Sequence, residues 1–486
     1  MKYLEDATRN YLYPILISII ILSFLLRVYN LGEKGFWSNE IFSVLISEKN
    51  ITGIIEESLK VDVHPPLYYI TLHYWIKLFG NSEFSIRFLS LIPSVISTFV
   101  IYRIGRLIFN NEVGIISAFL FSISYFSIIY AQEARSYSFI ILLVLLSNYY
   151  LISIIKEERE GIKERRKDLI HISGYLIPTI ILLYIHYYGI FFVIAQNIYY
   201  ILIYRKNIRL WVTMQGILLL SYSIWIPELI GKSVKNVNHP DKPTINTLYD
   251  TFRSFAGSDI GLYLIISIIG IIFIIYIVRI YNKTGSKNIK NIHVLKVDIS
   301  KDIIFLIIWI FIPILITFTI SQIFPIYRSK YVIASLPAFI LLTSRAIFEI
   351  KKILPILIIL IILTIPIAHS LEIYYSSPQD EQWKEVANYV KDNKKDNGVI
   401  LIYPSFTSQW FEYYYKDKSE IKTINEVDKI NDSIKENKSI WLVSFERNHD
   451  SKYKSELLKK ELSKIYKKEI TANFDGIRIS HYFKKN

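Results

Sequence analysis

The chain has 486 residues, 52% of them hydrophobic and 20% charged, with a net charge of +14 and no cysteine. Charges sit in short clusters between apolar runs up to about residue 372 and are dense from there to the end, which excludes a soluble enzyme with evenly mixed surface and core. The missing cysteines exclude disulfides and thiolate metal sites. The Lys/Arg clusters recur in alternate loops, so the positive charge is an orientation signal and not a nucleic-acid groove.

About 18 apolar residues suffice to cross a hydrocarbon core roughly 30 Å thick, and unbroken rather than alternating runs select helices. The first run, 11–29, has no small-residue cleavage site behind it and is predicted to be a retained span after a short N-terminus. The stretch 30–83 is predicted to be an outward loop, and within it 65–79 is an aromatic segment too short to span comfortably. It is predicted to be a helix lying in the outer interface, where Tyr and Trp are favoured. Further runs at 84–104, 112–131, 136–155, 169–187, 188–204, 210–230, 260–281, 302–323, 331–350 and 353–371 bring the predicted spans to eleven. Arg103 and Arg106, the cluster 156–167, Arg205, Lys206 and Arg209, the cluster 283–301, and Lys351 and Lys352 are assigned to the cytoplasm. The loops 30–83, 132–135, 231–259 and 324–330 then face outward, as does everything after 372. Counting 65–79 as a span would place Arg103, Arg106 and the 156–167 cluster outside. The expected protein is a multi-pass plasma-membrane protein with a cytoplasmic N-terminus.

Residues 1–372 are expected to form the membrane domain, with outer loops at 30–83 and 132–135. Residues 373–486 are expected to form a soluble, extracytoplasmic α/β domain. A helical start signal precedes Trp383, the Asn397-Gly398 turn precedes an apolar run at 399–403, and 440–445 and 477–483 read as strands. Alternating helices and strands favour a small layered sheet.

Three outward segments carry most of the ionisable residues able to meet at one end of the bundle. They are Gly35-Phe36-Trp37-Ser38-Asn39-Glu40; the stretch from Asp62-Val63-His64-Pro65-Pro66-Leu67 through Glu83 to Arg87; and Tyr130-Ala131-Gln132-Glu133-Ala134-Arg135-Ser136-Tyr137. Ionisable groups at membrane depth are costly and face a cavity or a partner. The carboxylates Glu40, Asp62 and Glu133 suit a general base or a metal ion. The cations His64, Arg87, Arg135, Arg328 and Lys330 suit a phosphate clamp, arginine being able to bind bidentately. Bland readings stand beside these: Glu40 as a solvated loop carboxylate, Asp62 and His64 as helix-start residues, Glu83 and Arg87 as an i, i+4 pair, Arg135 as a snorkelling side chain. Arg328 and Lys330 would then anchor a span end, and His186, Tyr187 and Tyr188 would belong to the interfacial belt.

On these segments the chain resembles the integral-membrane GT-C glycosyltransferases, in the branch of the protein O-mannosyltransferases and lipid A aminoarabinose transferases. The first-loop acidic pair of that family is matched by Asn39-Glu40, and its basic residue before Pro-Pro-Leu by His64. Its Glu-x-x-x-Arg element is matched by Glu83 to Arg87, and its second outer loop by Gln132 to Tyr137. Its late basic-Tyr before a Leu-Pro span is matched by Lys330-Tyr331 and Leu336-Pro337. The resemblance implies transfer of one sugar from a polyprenyl-phosphate carrier to a hydroxyl of a protein, lipid or glycan, with inversion. Asn39 stands where the family has its base, and an amide cannot take a proton. Glu40 takes the role, or Asp62 supplies it, or the protein is a weak or inactive member. No cofactor is implied with certainty; a divalent metal ion is left open. A transporter of lipid-linked glycan is the competing class, but such proteins place charges near mid-membrane in related halves, whereas here the charges cluster at one face, few spans contain a central ionisable residue and no halves are related.

Overall fold

The computed structural model describes residues 2–60, 64–160, 165–228, 242–284, 300–378, 380–394, 398–425, 437–447 and 449–485. The chain divides into two compact units. One comprises Met1–Tyr29, Lys49–Leu78 and Ile86–Tyr374; the other comprises Asn30–Glu48, Phe79–Ser85 and Tyr375–Asn486.

The first unit is helical. Glu83–Ile108, Tyr137–Glu158, Lys301–Ile320, Ser329–Phe348 and Ile353–Ser376 are long and apolar enough to cross a membrane. Two bent pairs, Asn111–Ile123 with Tyr125–Ala131 and Ile245–Ala256 with Asp259–Ile271, raise this to as many as seven among the described residues. Shorter apolar helices cover Leu12–Val28, Leu169–Ile185, Gly189–Tyr204 and Ile208–Tyr222. Every apolar run of the sequence is therefore mainly helical in its described part. The segment 65–79 forms the helix Leu67–Phe79.

Lipid gives helices no hydrophobic reason to associate, so close backbone approach and interhelical hydrogen bonds hold them together. A Cβ on Gly105 would lie 2.8 Å from Gly114 Cα, so two glycines let the helices on either side of Phe109–Asn110 touch. Ser23 and Thr98 hydroxyls meet at 2.8 Å. Gln196 donates to Ser147 Oγ at 2.9 Å and Asn148 Oδ1 at 2.7 Å.

Both bends have local causes. At Ser124 (ψ 114°) the backbone leaves the helical region and the hydroxyl caps Ser127 N–H, turning the chain by 56°. At Gly257, φ is +83°, a conformation open to glycine at little cost, and the next helix leaves at 85°. The helices Ile51–Lys60 and Ile245–Ala256 lie in stretches read from sequence only as loop.

The second unit carries a five-stranded sheet of order β2-β1-β3-β5-β4, with β1 Val399–Tyr403, β2 Ile421–Thr423, β3 Ser439–Phe445, β4 Tyr466–Phe474 and β5 Ile477–Lys484. β1 runs parallel to β2 and β3, and β5 antiparallel to β3 and β4. β1 is buried along its whole length, as a strand covered on both faces must be. Its residues Val399, Leu401 and Tyr403 share a core with Leu442, Leu458, Leu462 and Tyr482. Trp383, at the start of the helix Trp383–Asn393, is fully buried against Trp410 and Phe445. The helix Ser38–Ser47 in the same unit packs on the helix Ser408–Tyr414.

Candidate active site

In the first unit, the helix Tyr125–Ala131 ends in a turn that brings Glu133 and Arg135 side by side. Arg135 N–H bonds Glu133 O at 2.8 Å, and Ser90 Oγ donates to Arg135 O at 3.0 Å. Arg135 Nη1 reaches Tyr69 Oη at 3.4 Å, and the guanidinium also engages the Tyr137 hydroxyl. Both charged side chains are half-buried.

The turn is fixed from behind by a reciprocal exchange with the first helix. Gln132 donates its amide to Arg27 O at 2.9 Å and Tyr29 O at 2.8 Å, occupying carbonyls that a helix end leaves without intrahelical partners. Arg27, fully buried, reaches the other way. Its guanidinium donates to Phe121 O at 3.2 Å and Ser122 O at 2.8 Å at the end of the helix Asn111–Ile123. It also donates to Ser127 Oγ at 3.0 Å and Ser94 Oγ at 2.7 Å. One arginine thus bridges both sides of the bend at Ser124.

Rings from three chain segments assemble beside the turn. His64 lies 4.1 Å from His186 and 5.2 Å from Tyr187, centroid to centroid, with Tyr331 edge-on at 6.2 Å. Tyr331 stacks with Tyr137 at 6.4 Å and lies 5.5 Å from His186. Lys330 Nζ sits 5.5 Å from the Tyr137 ring and 6.0 Å from the Tyr331 ring, within cation–π range. Glu133, Arg135 and Arg328 lie close enough to act on the Lys330 charge.

The 326–335 stretch is pinned by Ser321 Oγ, which accepts Tyr327 N–H at 2.8 Å. Thr251 is hydroxyl-bonded to Tyr327 and Ser329 at 2.8 Å each, and Trp309 Nε1 donates to Ala334 O at 2.8 Å. His64, Glu133, Arg135, Tyr137, Lys330 and Tyr331 are therefore together, with Arg328 exposed beside them. Arg87 is buried near the start of the helix Glu83–Ile108. His186 and Tyr187, read from sequence as interfacial belt, belong to the cluster.

The second unit holds Asn39 and Glu40. Glu40 is fully buried at the start of the helix Ser38–Ser47, and Trp37 N–H points back to its Oε2 at 3.4 Å. Asn39 is half-buried, and its carbonyl accepts from Ser43 Oγ at 2.9 Å. Tyr414 Oη accepts Phe36 N–H at 2.6 Å and donates to Glu83 Oε1 at 3.3 Å, and Lys384 Nζ meets the same oxygen at 3.0 Å. Burial pushes the Tyr413 and Tyr414 hydroxyls well above the ordinary phenol range. The Phe36 N–H works against this at Tyr414, and the Glu83 and Glu40 charges reinforce it at both rings. Both stay neutral, so Tyr414 can accept and donate at once.

Asp62 lies outside the described residues. Among the described residues no three His, Asp or Glu side chains come together to hold a metal ion.

Residues 63–230 match the family model of the dolichyl-phosphate-mannose-protein mannosyltransferases, a range that includes His64, Arg87, Glu133, Arg135 and Tyr137. No curated protein matches the chain in sequence. Among solved structures, ArnT from Cupriavidus metallidurans bound to undecaprenyl phosphate is similar at TM-score 0.64 and 9% identity, over 97% of this chain and 98% of that one. The archaeal oligosaccharyltransferase AglB from Archaeoglobus fulgidus, in complex with an inhibitory peptide and a dolichol-phosphate, is similar at TM-score 0.54 and 11% identity, over 98% and 74%. The Archaeoglobus fulgidus oligosaccharyltransferase in complex with Zn and sulfate gives TM-score 0.53 and 11% identity, over 88% and 67%. The chain therefore has the fold of the GT-C integral-membrane glycosyltransferases, and a third of its length matches the mannosyltransferase family model.

Proposed function

We propose that this protein is a membrane glycosyltransferase that moves one sugar from a polyprenyl-phosphate carrier to a hydroxyl of a protein, lipid or glycan at the outer membrane face, with inversion. In this reading all eleven apolar runs cross the membrane, the N-terminus is cytoplasmic and residues 373–486 are extracytoplasmic. The observation that carries the proposal is the cluster of His64, Arg135, Lys330, Tyr137 and Tyr331 in a chain of this fold. A phosphate bearing a sugar needs cations for the one and flat ring faces for the other, and this cluster offers both.

The carboxylate of Glu40 takes the proton of the acceptor hydroxyl, and the hydroxyl oxygen attacks the anomeric carbon with inversion. The bond from that carbon to the phosphate oxygen breaks, and polyprenyl phosphate departs with the electron pair. Lys330, Arg135, Arg328 and His64 stabilise the charge that develops there, where a dry site makes fixed cations most effective. Arg87 and Glu133 orient these groups, and Tyr137 and Tyr331 stack on the sugar.

Asn39 and the Trp37 N–H held by Glu40 favour a second reading, a relative that binds glycolipid with little or no turnover. The test is purified protein in lipid, given a polyprenyl-phosphate sugar and a hydroxyl acceptor, with free polyprenyl phosphate measured by mass spectrometry. Release that needs the acceptor supports the transferase; tight carrier binding without release supports the second reading.

A further inference from the structure

We propose that the C-terminal α/β domain clamps the Trp37–Glu40 segment, and that Glu381 is the positioning residue through which it does so. The first N–H groups of a helix lack intrahelical partners. At the helix Ser38–Ser47 one of them is taken by a side chain 343 residues away: Glu381 Oε2 accepts Ser38 N–H at 3.0 Å. A carboxylate is also the charge that a helix N-terminus favours.

Glu381 is anchored for this task. Its side chain is 4% exposed, Arg447 bonds its Oε1, and Trp383 Nε1 reaches its Oε2 at 3.4 Å. Its backbone has φ +59°, a left-handed conformation uncommon for a residue with a side chain. The surrounding fold holds it there.

The grip has a second point on the other side of Trp37. Tyr414 Oη accepts Phe36 N–H, and the Phe36 ring lies edge-on to Tyr413 at 6.0 Å. Gly35 passes so close that a Cβ on it would lie 2.7 Å from Lys384 Cβ. The backbone N–H groups of residues 36 and 38 are both held by side chains of the C-terminal domain, and the next two residues are Asn39 and Glu40. A helix of ten residues is too short to be stable alone, so its start is set by these contacts. The domain then acts on catalysis through Glu40, a consequence that rests on the proposed role of Glu40 as base.

The experiment compares full-length wild type, Glu381→Ala, Glu381→Gln and Tyr414→Phe in lipid. It measures amide hydrogen exchange over 36–41, with kcat and donor KM on the same samples. A hydrogen bond to a charged group supports roughly a ten- to hundredfold effect. Exchange over this segment should rise by about that factor in Glu381→Ala, and by less in Glu381→Gln, which keeps an accepting oxygen. Tyr414→Phe deletes a single hydroxyl and should loosen residue 36 in a protein that folds as wild type. Unchanged exchange in folded Glu381→Ala, or in Tyr414→Phe where Glu381→Ala does not fold, overturns the clamp. Raised exchange with lowered kcat and unchanged donor KM supports both the clamp and the base. Raised exchange with unchanged kcat supports the clamp and removes Glu40 from catalysis.

Discussion

Replacing Arg27 by methionine keeps the length of the side chain and deletes every donor that bridges the bend at Ser124. Five bonds of 2.7 to 3.2 Å disappear. Two of the acceptors, the Ser94 and Ser127 hydroxyls, already lie 3.3 Å apart and can re-pair. The carbonyl of Phe121 keeps the Ser124 N–H at 3.3 Å, but that of Ser122 has no such remedy, because the bend removes the N–H that a continuing helix would offer it. A buried acceptor stripped of its donor costs about 1–3 kcal/mol. One such group, less the gain from no longer burying an arginine, gives a loss of roughly 1–2 kcal/mol. At about 1.4 kcal/mol per decade that is roughly a five- to thirtyfold rise in local opening. Lysine at the same position keeps a charge but presents three donors from one point, and should fall between the two. The assay is amide hydrogen exchange of the segment 124–135 in detergent or nanodiscs. Exchange in Arg27→Met equal to wild type would refute the assignment of the bend to this arginine.

Lys330→Gln should raise the donor KM or lower kcat by roughly ten- to a hundredfold, since it removes a charge-assisted contact to phosphate; wild-type kinetics with polyprenyl-phosphate sugar would remove Lys330 from the site. His64→Phe keeps the ring packing with His186 and Tyr187 and loses the imidazole nitrogens, so it should fold normally by circular dichroism and still bind donor more weakly, by about tenfold. In the C-terminal domain, burial would raise the Glu446 carboxyl, but bonds from Lys459, Ser455 and Ser444 outweigh it and hold it below its ordinary 4.5. A depressed acid contributes stability that is complete above the unfolded value and is lost as pH falls through the folded one. Thermal unfolding followed by tryptophan fluorescence should therefore show an acid-side loss starting below about pH 5, and Glu446→Gln should be less stable at neutral pH with a flatter acid limb; an unaltered acid limb in the variant contradicts this.

The helices of the membrane unit were legible because composition decides them: a long apolar run has few other ways to satisfy its backbone in lipid. β1, β3 and β5 were legible as apolar runs, whereas β4, with Lys467, Lys468 and Glu469, reads like an extension of the charged helix before it. It is an edge strand, and lysines are favoured on edges to block further pairing. Short amphipathic helices such as Ile245–Ala256 were missed because tertiary packing stabilises them more than propensity does.

The cations at span ends stood out, since charge is conspicuous beside apolar runs, but His186 and Tyr187 look like ordinary interfacial residues until His64 is placed against them. The bland i, i+4 reading of Glu83 left out Lys384 and Tyr414, which hold its carboxylate from 300 and more residues away. Arg27 and Glu381 share that difficulty. Each bonds the backbone of another segment, and a partner that is a carbonyl or an N–H leaves no mark in the sequence.

The proposed activity turns on Glu40, and the most direct test is acceptor-dependent release of polyprenyl phosphate by wild type and Glu40→Gln side by side, with folding checked by circular dichroism. The account predicts release by wild type and a fall of at least about a hundredfold in the variant, the scale of a lost general base, with carrier binding retained. Equal release by the two proteins, or no release by wild type with any lipid-phosphate sugar, would contradict it.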